Sequence, residues 1–396
     1  EAVMTSRSFD AVALTDPVAL TQALVSINTY ELVGKREALQ LVKKLLDEKA
    51  PEARATLCDF ETDAPYLTAR IGAESPVGTL FFEGHLDVVP AGKMPRAFEG
   101  RIEGDWLIGR GAGDMKSGCA ALITAFLGAA EAVRSSGAKG ALWLMLSTDE
   151  EYAGEEIKTA LSQGTVPKAD FAVIAEPTDL SVVHRQKGEC WITCRFAGRS
   201  AHSSTPELGV NSLMKAARFM TKLEPRIAAL KTRTSPLGSP TMSLGTLQGG
   251  TEPNVVPDAA EAVIDVRYLP GETPEDYLSL LEEIANECRA GDPDFSVRFE
   301  VTGDWPSMET PTTHPAVVGL KDAAERILGR SVGFGNMTGW GEAGFMERFG
   351  VPAVYFGPGD PKFSHTPEER CLTVRIREAE AVFLSLAESW LADGKV

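Results

Sequence analysis

Four short, almost continuous apolar runs constrain most strongly what this chain can fold into. They lie at residues 78–84 (GTLFFEG), 141–147 (ALWLMLS), 171–175 (FAVIA) and 352–356 (PAVYF). A strand with one face in water alternates apolar and polar residues, whereas a strand buried on both faces does not. Helical spacing separates them: Leu122, Ile123, Phe126, Leu127 and Ala130 recur with the period of an amphipathic helix. Helices are also expected over residues 315–328 and 376–391. Strands alternating with helices predict an α/β fold with a mostly parallel sheet covered on both faces.

The middle of the chain changes period. Strands are expected over residues 189–196, 241–247, 262–268 and 295–301, and amphipathic helices over 211–223 and 274–289. The order β-α-β-β-α-β is that of a ferredoxin-like unit, an α+β layer with an antiparallel sheet. The economical organisation is an α/β domain made of residues 1–187 and 304–396, interrupted by an inserted domain at 188–303. Gly188 and Gly303 mark its edges.

Composition narrows the function classes. A net charge of −17 over 396 residues argues against nucleic acid as partner, because phosphate binding needs a basic surface. The six cysteines, Cys58, Cys119, Cys190, Cys194, Cys288 and Cys371, form no CxxC pair and read as buried thiols. Cys190 and Cys194 share one face of a strand, too far apart for a disulfide. The opening EAVMTSRSFDAVALTD has no apolar core of a signal peptide, and no apolar run reaches membrane-spanning length. A cytoplasmic location without membrane association is the expectation.

The apolar runs matter most for the residues at their ends. GHLD comes directly after the first run, STDEE after the second, AEPT begins at the end of the third, and FGPGD with SHTPEE lies beyond the fourth. A fifth stretch, GRGAGDMKSG, places Asp114 before a helix. Taken singly, each has an ordinary structural reading: a histidine beside a carboxylate, a helix-capping aspartate, a solvated acidic first turn. Taken together, four strand ends deliver His85, Glu150, Glu151, Glu176 and His365, and parallel-sheet sites collect at carboxyl ends of strands. His85 and Asp87, two apart, point to one face, so Asp87 can orient the His85 ring. Asp114 has two oxygens with which to bridge two ions. Mixed histidine and carboxylate ligands fit zinc best, with cobalt or manganese as substitutes. His184 and His314 fall outside this set and read as structural.

In this order and spacing, GHLDVVPAG, GRGAGDMKSG, TDEE, AEPT, HSSTPELGVN, GGTEPNVVP and SHTPEE resemble the zinc-dependent family of acetylornithine deacetylase, succinyl-diaminopimelate desuccinylase, aminoacylase and glutamate carboxypeptidase. The resemblance spans nearly the whole chain. It implies two Zn2+ ions (Co2+ or Mn2+ in their place), with Asp114 bridging, His85 and Glu176 completing one site, and Glu151 and His365 the other. It implies Glu150 as general base, Asp87 as the residue orienting His85, and the inserted domain as a lid that also forms a homodimer. His202 would reach the opposite subunit's active site and stabilise the oxyanion. Asn254 and Arg267 would face substrate, Arg267 as a carboxylate clamp, and Gly341 and Glu342 would stand at the rim. There the sequence departs from the family, with TGWGEAGF carrying Gly341 in place of a threonine. The implied reaction is hydrolysis of a small N-acyl amino acid, with a dipeptide as the alternative substrate and a non-catalytic ligand-binding relative as the third reading.

Overall fold

The computed structural model describes residues 13–395, so the first twelve residues of the N-terminal stretch lie outside it. The chain divides into two compact units. One comprises residues up to His184 with Thr310–Gly335 and Gly341–Val396, and the other Arg185–Glu309 with Asn336–Trp340.

The first unit begins with helices α1 (Pro17–Val25) and α2 (Leu32–Lys49). Asp16 caps α1 by accepting from the Val18 and Ala19 amides, with Pro17 in the first turn. Next come β1 (Thr56–Cys58), β2 (Tyr66–Gly72), β3 (Thr79–His85), β4 (Arg101–Glu103), β5 (Trp106–Ile108), α3 (Lys116–Ser136), β6 (Ala141–Ser147), α4 (Glu155–Ser162) and β7 (Phe171–Ile174). Strand β8 (Val182–Gln186) carries the chain into the second unit.

The second unit contains β9 (Gly188–Ala197), α5 (Ser212–Leu230), β10 (Thr241–Gly249), β11 (Ala259–Tyr268), α6 (Pro274–Gly291), β12 (Ser296–Trp305) and the short β13 (Met308–Glu309). The first unit then resumes with α7 (Pro315–Leu328). Strand β14 (Phe334–Met337), α8 (Ala343–Arg348), β15 (Ala353–Tyr355), β16 (Arg370–Leu372) and α9 (Thr373–Asp393) complete the chain.

The main sheet is mixed. Its centre runs β6-β3-β7-β15, all parallel, and these are the four apolar runs. Antiparallel β1, β2 and β8 extend it. The four apolar strands are therefore adjacent, and their carboxyl ends share one edge. The register aligns them further: His85 stands opposite Ser147, and Glu83 opposite Ile174. Helix α3 packs against α1, α9 and β3. By length and composition α3 could cross a membrane, which corrects the expectation that no apolar run is that long. Yet 78% of its most apolar window is buried inside the protein, so its apolarity is that of a core helix.

The second unit has the β-α-β-β-α-β order and a four-stranded antiparallel sheet in the order β10-β11-β9-β12. Cys190, Ile192, Cys194 and Phe196 of β9 face the core with Phe219 of α5 and Leu281 of α6. All six cysteines are free thiols. Two boundaries differ most from expectation. Helix α5 runs through Pro225 to Leu230, because Pro225 sits on an exposed face where the unpartnered carbonyl one turn back meets water. Strand β12 continues past Gly303 to Trp305 through a bulge between Val301 and Gly303. A side chain at 303 would collide with the Trp305 ring, so this glycine seats an aromatic rather than ending a strand.

Candidate metal centre

His85 ends β3 and is 1% exposed. Its Nε2 has Asp114 Oδ1 at 3.4 Å, Glu176 Oε1 at 3.5 Å and Glu150 Oε2 at 3.7 Å. Buried as it is, that nitrogen has no hydrogen-bond partner among the described residues. A buried nitrogen without a partner, ringed by three carboxylates, fits a cation better than any protein group present. The other oxygen of Asp114, Oδ2, lies 3.4 Å from His365 Nε2. Glu151 approaches the same nitrogen, with Oε2 at 3.1 Å. Asp114 thus offers one oxygen to each histidine. His85, Asp114 and Glu151, and likewise His85, Glu150 and Glu176, each bring ligand atoms within 4.8 Å of one another.

Asp87 is fully buried and serves two neighbours. Its Oδ2 accepts the Glu151 amide at 3.1 Å. Its Oδ1 stands 3.5 Å from His85 Nδ1, which lies closer, 3.2 Å, to the Asp87 carbonyl. Both partners direct Nε2 toward the carboxylates. His365 takes a left-handed backbone, φ +62, in the loop after β15, and its side chain is half exposed.

The electrostatics arise from crowding acids out of water. Burial pushes the carboxyls of Glu150 and Glu176 well above the usual range; neighbouring carboxylates add to the rise and His85 opposes it. For His85, burial alone would lower the pKa, but Asp114 and Asp87 outweigh it and hold the ring well above its ordinary value. Asp114 goes the other way: the pull of His85 overcomes burial and lowers it.

Further acids lie close to this cluster, of which sequence reasoning missed Glu83 and Glu156. Glu83 and Glu342 are both fully buried, and the Ser147 hydroxyl lies within hydrogen-bond reach of each, at 3.3 and 3.2 Å. The signal for Glu83 was a charge inside an apolar run. Glu342 was expected at a substrate-facing rim; it is instead 0% exposed, because it packs against Ser147 at the end of β6, and Gly341 beside it is buried too. Glu156 accepts from the Thr148 amide and hydroxyl, at 2.9 and 3.0 Å, bracing the turn that bears Glu150 and Glu151. His184 and His314 lie apart from the cluster. His184 Nδ1 meets the Thr310 carbonyl at 2.8 Å, and His314 stacks on Phe171.

His202, Asn254 and Arg267 belong to the second unit. His202 is exposed, and its Nδ1 accepts the Ser204 amide at 3.1 Å. The Ser204 hydroxyl lies closer still to that nitrogen, at 2.8 Å, so Ser204 holds the ring through two of its groups. Asn254 is held beside it, its carbonyl accepting from the Ser203 amide at 3.0 Å. Arg267 is gripped by Glu189 at 2.5 Å and by Asp265 at 3.0 and 3.2 Å.

Buried histidine and carboxylate donors converging at the ends of parallel strands define a hydrolase-type metal centre. The comparisons with known proteins agree. The chain matches Peptidase family M20/M25/M40 over residues 81–389, and it belongs to that family; it is an amidohydrolase. It is 30% identical over 316 residues to the acetylornithine deacetylase of Myxococcus xanthus, covering 78% of this chain and 80% of that protein. It is 28% identical over 370 residues to a protein of Mycobacterium tuberculosis named as a candidate succinyl-diaminopimelate desuccinylase DapE, covering 90% and 93%. The fold matches the M20 family metallo-carboxypeptidase Sso-CP2 of Sulfolobus solfataricus, with a TM-score of 0.72 at 18% identity, over 94% of this chain and 98% of that one. It also matches the YxeP protein of Bacillus subtilis, described as a dinuclear metal binding peptidase, with a TM-score of 0.71 at 16% identity, over 96% and 99%.

Proposed function

We propose that this protein hydrolyses the amide bond of a small N-acyl amino acid, in the manner of an acetylornithine deacetylase or a desuccinylase. The observation that carries the reading is Asp114 set between His85 and His365, with Glu150 beside His85. Asp114 would bridge two ions, His85 and Glu176 would complete one site, and Glu151 and His365 the other. Zinc suits this donor set best, with cobalt or manganese able to replace it. Bound there, such ions supply a water acidified toward neutrality and a positive charge for the substrate carbonyl.

The chain's own groups do the rest. Glu150, unneeded as a ligand in this assignment, takes the proton of the attacking water and hands it to the leaving amine. Asp87 keeps His85 oriented. The His202 ring is the group offered to the developing oxyanion. Arg267 would clamp a substrate carboxylate, sharing its guanidinium with Glu189 and Asp265, and Asn254 would approach the substrate from the same unit. In this reading the second unit is a lid and the contact surface of a homodimer, and the protein works in the cytoplasm.

A screen of the zinc-reconstituted protein for free amine release tests the proposal. It should compare N-acetyl, N-succinyl and N-formyl amino acids with a few dipeptides, each beside Glu150→Gln. Release from one acyl class, lost by several orders of magnitude in Glu150→Gln with its metal content retained, is the expected result. Cleavage of dipeptides alone would move the assignment to a dipeptidase. Two ions bound with no hydrolysis of any substrate would favour a binding protein.

A further inference from the structure

The glycine-rich loop that carries Asp114 is organised by a side chain from far along the chain. Glu369 is 0% exposed. Its Oε1 accepts from the amides of Gly111 at 2.9 Å, Asp114 at 3.0 Å and Gly113 at 3.1 Å. Its Oε2 pairs with the Arg110 guanidinium, itself buried. Three backbone N–H groups turned toward one oxygen form a concavity that favours negative charge. The bend requires Gly111, whose φ is +88 and where a side chain would strike Lys116 and Val88.

We infer that Glu369 is the positioning residue for Asp114: its carboxylate gathers the loop amides, and Arg110 fixes that carboxylate, so the two oxygens of Asp114 face His85 and His365 at once. The inference rests on the metal-site reading proposed for the function. Glu369 meets Asp114 at its backbone amide and acts through it. It stands four residues beyond His365, so one segment delivers a ligand and also sets the loop bearing the bridge. A general fold role alone would not require its acceptor oxygen to meet the Asp114 amide itself. Gln at this position can keep its carbonyl oxygen toward the amides only by turning its own uncharged NH2 toward the Arg110 guanidinium.

The experiment is a titration of Zn2+ into chelator-stripped wild type, Glu369→Gln and Arg110→Met against a competing chromophoric chelator. Circular dichroism and a melting curve of each metal-free protein accompany it. Both folded variants should bind zinc more weakly, Glu369→Gln by about 10–100-fold, while KM for substrate holds and kcat recovers as zinc is raised. Folded variants with zinc affinity within about twofold of wild type overturn the inference. So does failure of both to fold even with zinc, which would make Glu369 a fold residue only. Wild type that binds no zinc in the same titration sinks the metal reading itself, separately from the role of Glu369.

Discussion

At the scale of single residues, the site holds many acids that water would otherwise keep apart. Burial raises Glu83 and Glu369 to about 7, and lifts Glu150, Glu176 and Glu342 well above the ordinary carboxyl range. A carboxyl whose folded pKa lies above its unfolded value binds more protons when folded. Between an unfolded value of about 4.5 and these raised values, stability must therefore fall as pH rises. His85, raised above its ordinary value of 6.5, has the same sign above that pH, while the lowered Asp114 has the opposite sign but acts only below its ordinary value of 3.8, outside this window. The metal-free protein is expected to melt at progressively lower temperature from about pH 5 to about pH 7.5, and bound metal, by compensating the charges, should flatten that slope. Thermal melts at several pH values, with and without zinc, test this; a metal-free melting temperature that climbs across the window would remove the burial argument. The acids at strand ends were legible in the sequence because each sits where an apolar run stops. Glu156 and Glu369 were not, since their neighbours are separated by a turn or by most of the chain. Glu342 was misplaced for the same reason: nothing local in TGWGEAGF shows that Ser147 lies against it.

At the scale of elements, the periods in the sequence were enough to find the four central parallel strands and the β-α-β-β-α-β order, because burial on one face or two leaves its mark on every second or fourth residue. The short strands β1, β4, β5, β13, β14 and β16, along with β2 and β8, were not found in this way. Nor did the periods give the neighbours of each strand. That β3 stands between β6 and β7, with β15 next, is set by which faces pack together, and this adjacency brings the four strand ends side by side. Gly118 shows the closeness required. It lies in α3, and a side chain there would meet the Ala175 carbonyl at 2.1 Å, immediately before Glu176. Backbone cannot yield as a flexible side chain does. Gly118→Ala should therefore displace α3 from β7 and destabilise the protein by about 1–3 kcal/mol, despite the better helix propensity of alanine. Denaturant melts measure this; a variant as stable as wild type would show that the helix moves freely at this point.

At the scale of the whole molecule, the proposed metal ligands all belong to one unit and His202 to the other. The family resemblance implies that this histidine acts on the opposite subunit's active site, and complementation decides the matter. Glu150→Gln and His202→Ala should each be nearly inactive as pure proteins. In a mixed dimer acting across subunits, the His202→Ala subunit keeps its own Glu150 and borrows an intact His202 from the Glu150→Gln subunit. One of its two sites is then whole. Random pairing makes half the dimers mixed, so co-refolding the two inactive variants in equal amounts should recover about a quarter of wild-type turnover, with KM unchanged. If His202 serves its own subunit, every site in every mixture keeps one defect and nothing is recovered. The same holds if the protein is a monomer, and sedimentation of the wild type separates those two outcomes. Recovery near a quarter would also explain why the chain devotes a second hydrophobic core, around Phe219, Leu281 and Ile264, to a unit that contributes no metal ligand of its own. A donor delivered by a partner needs a rigid carrier, because an oxyanion is stabilised only by a hydrogen bond already aimed at it.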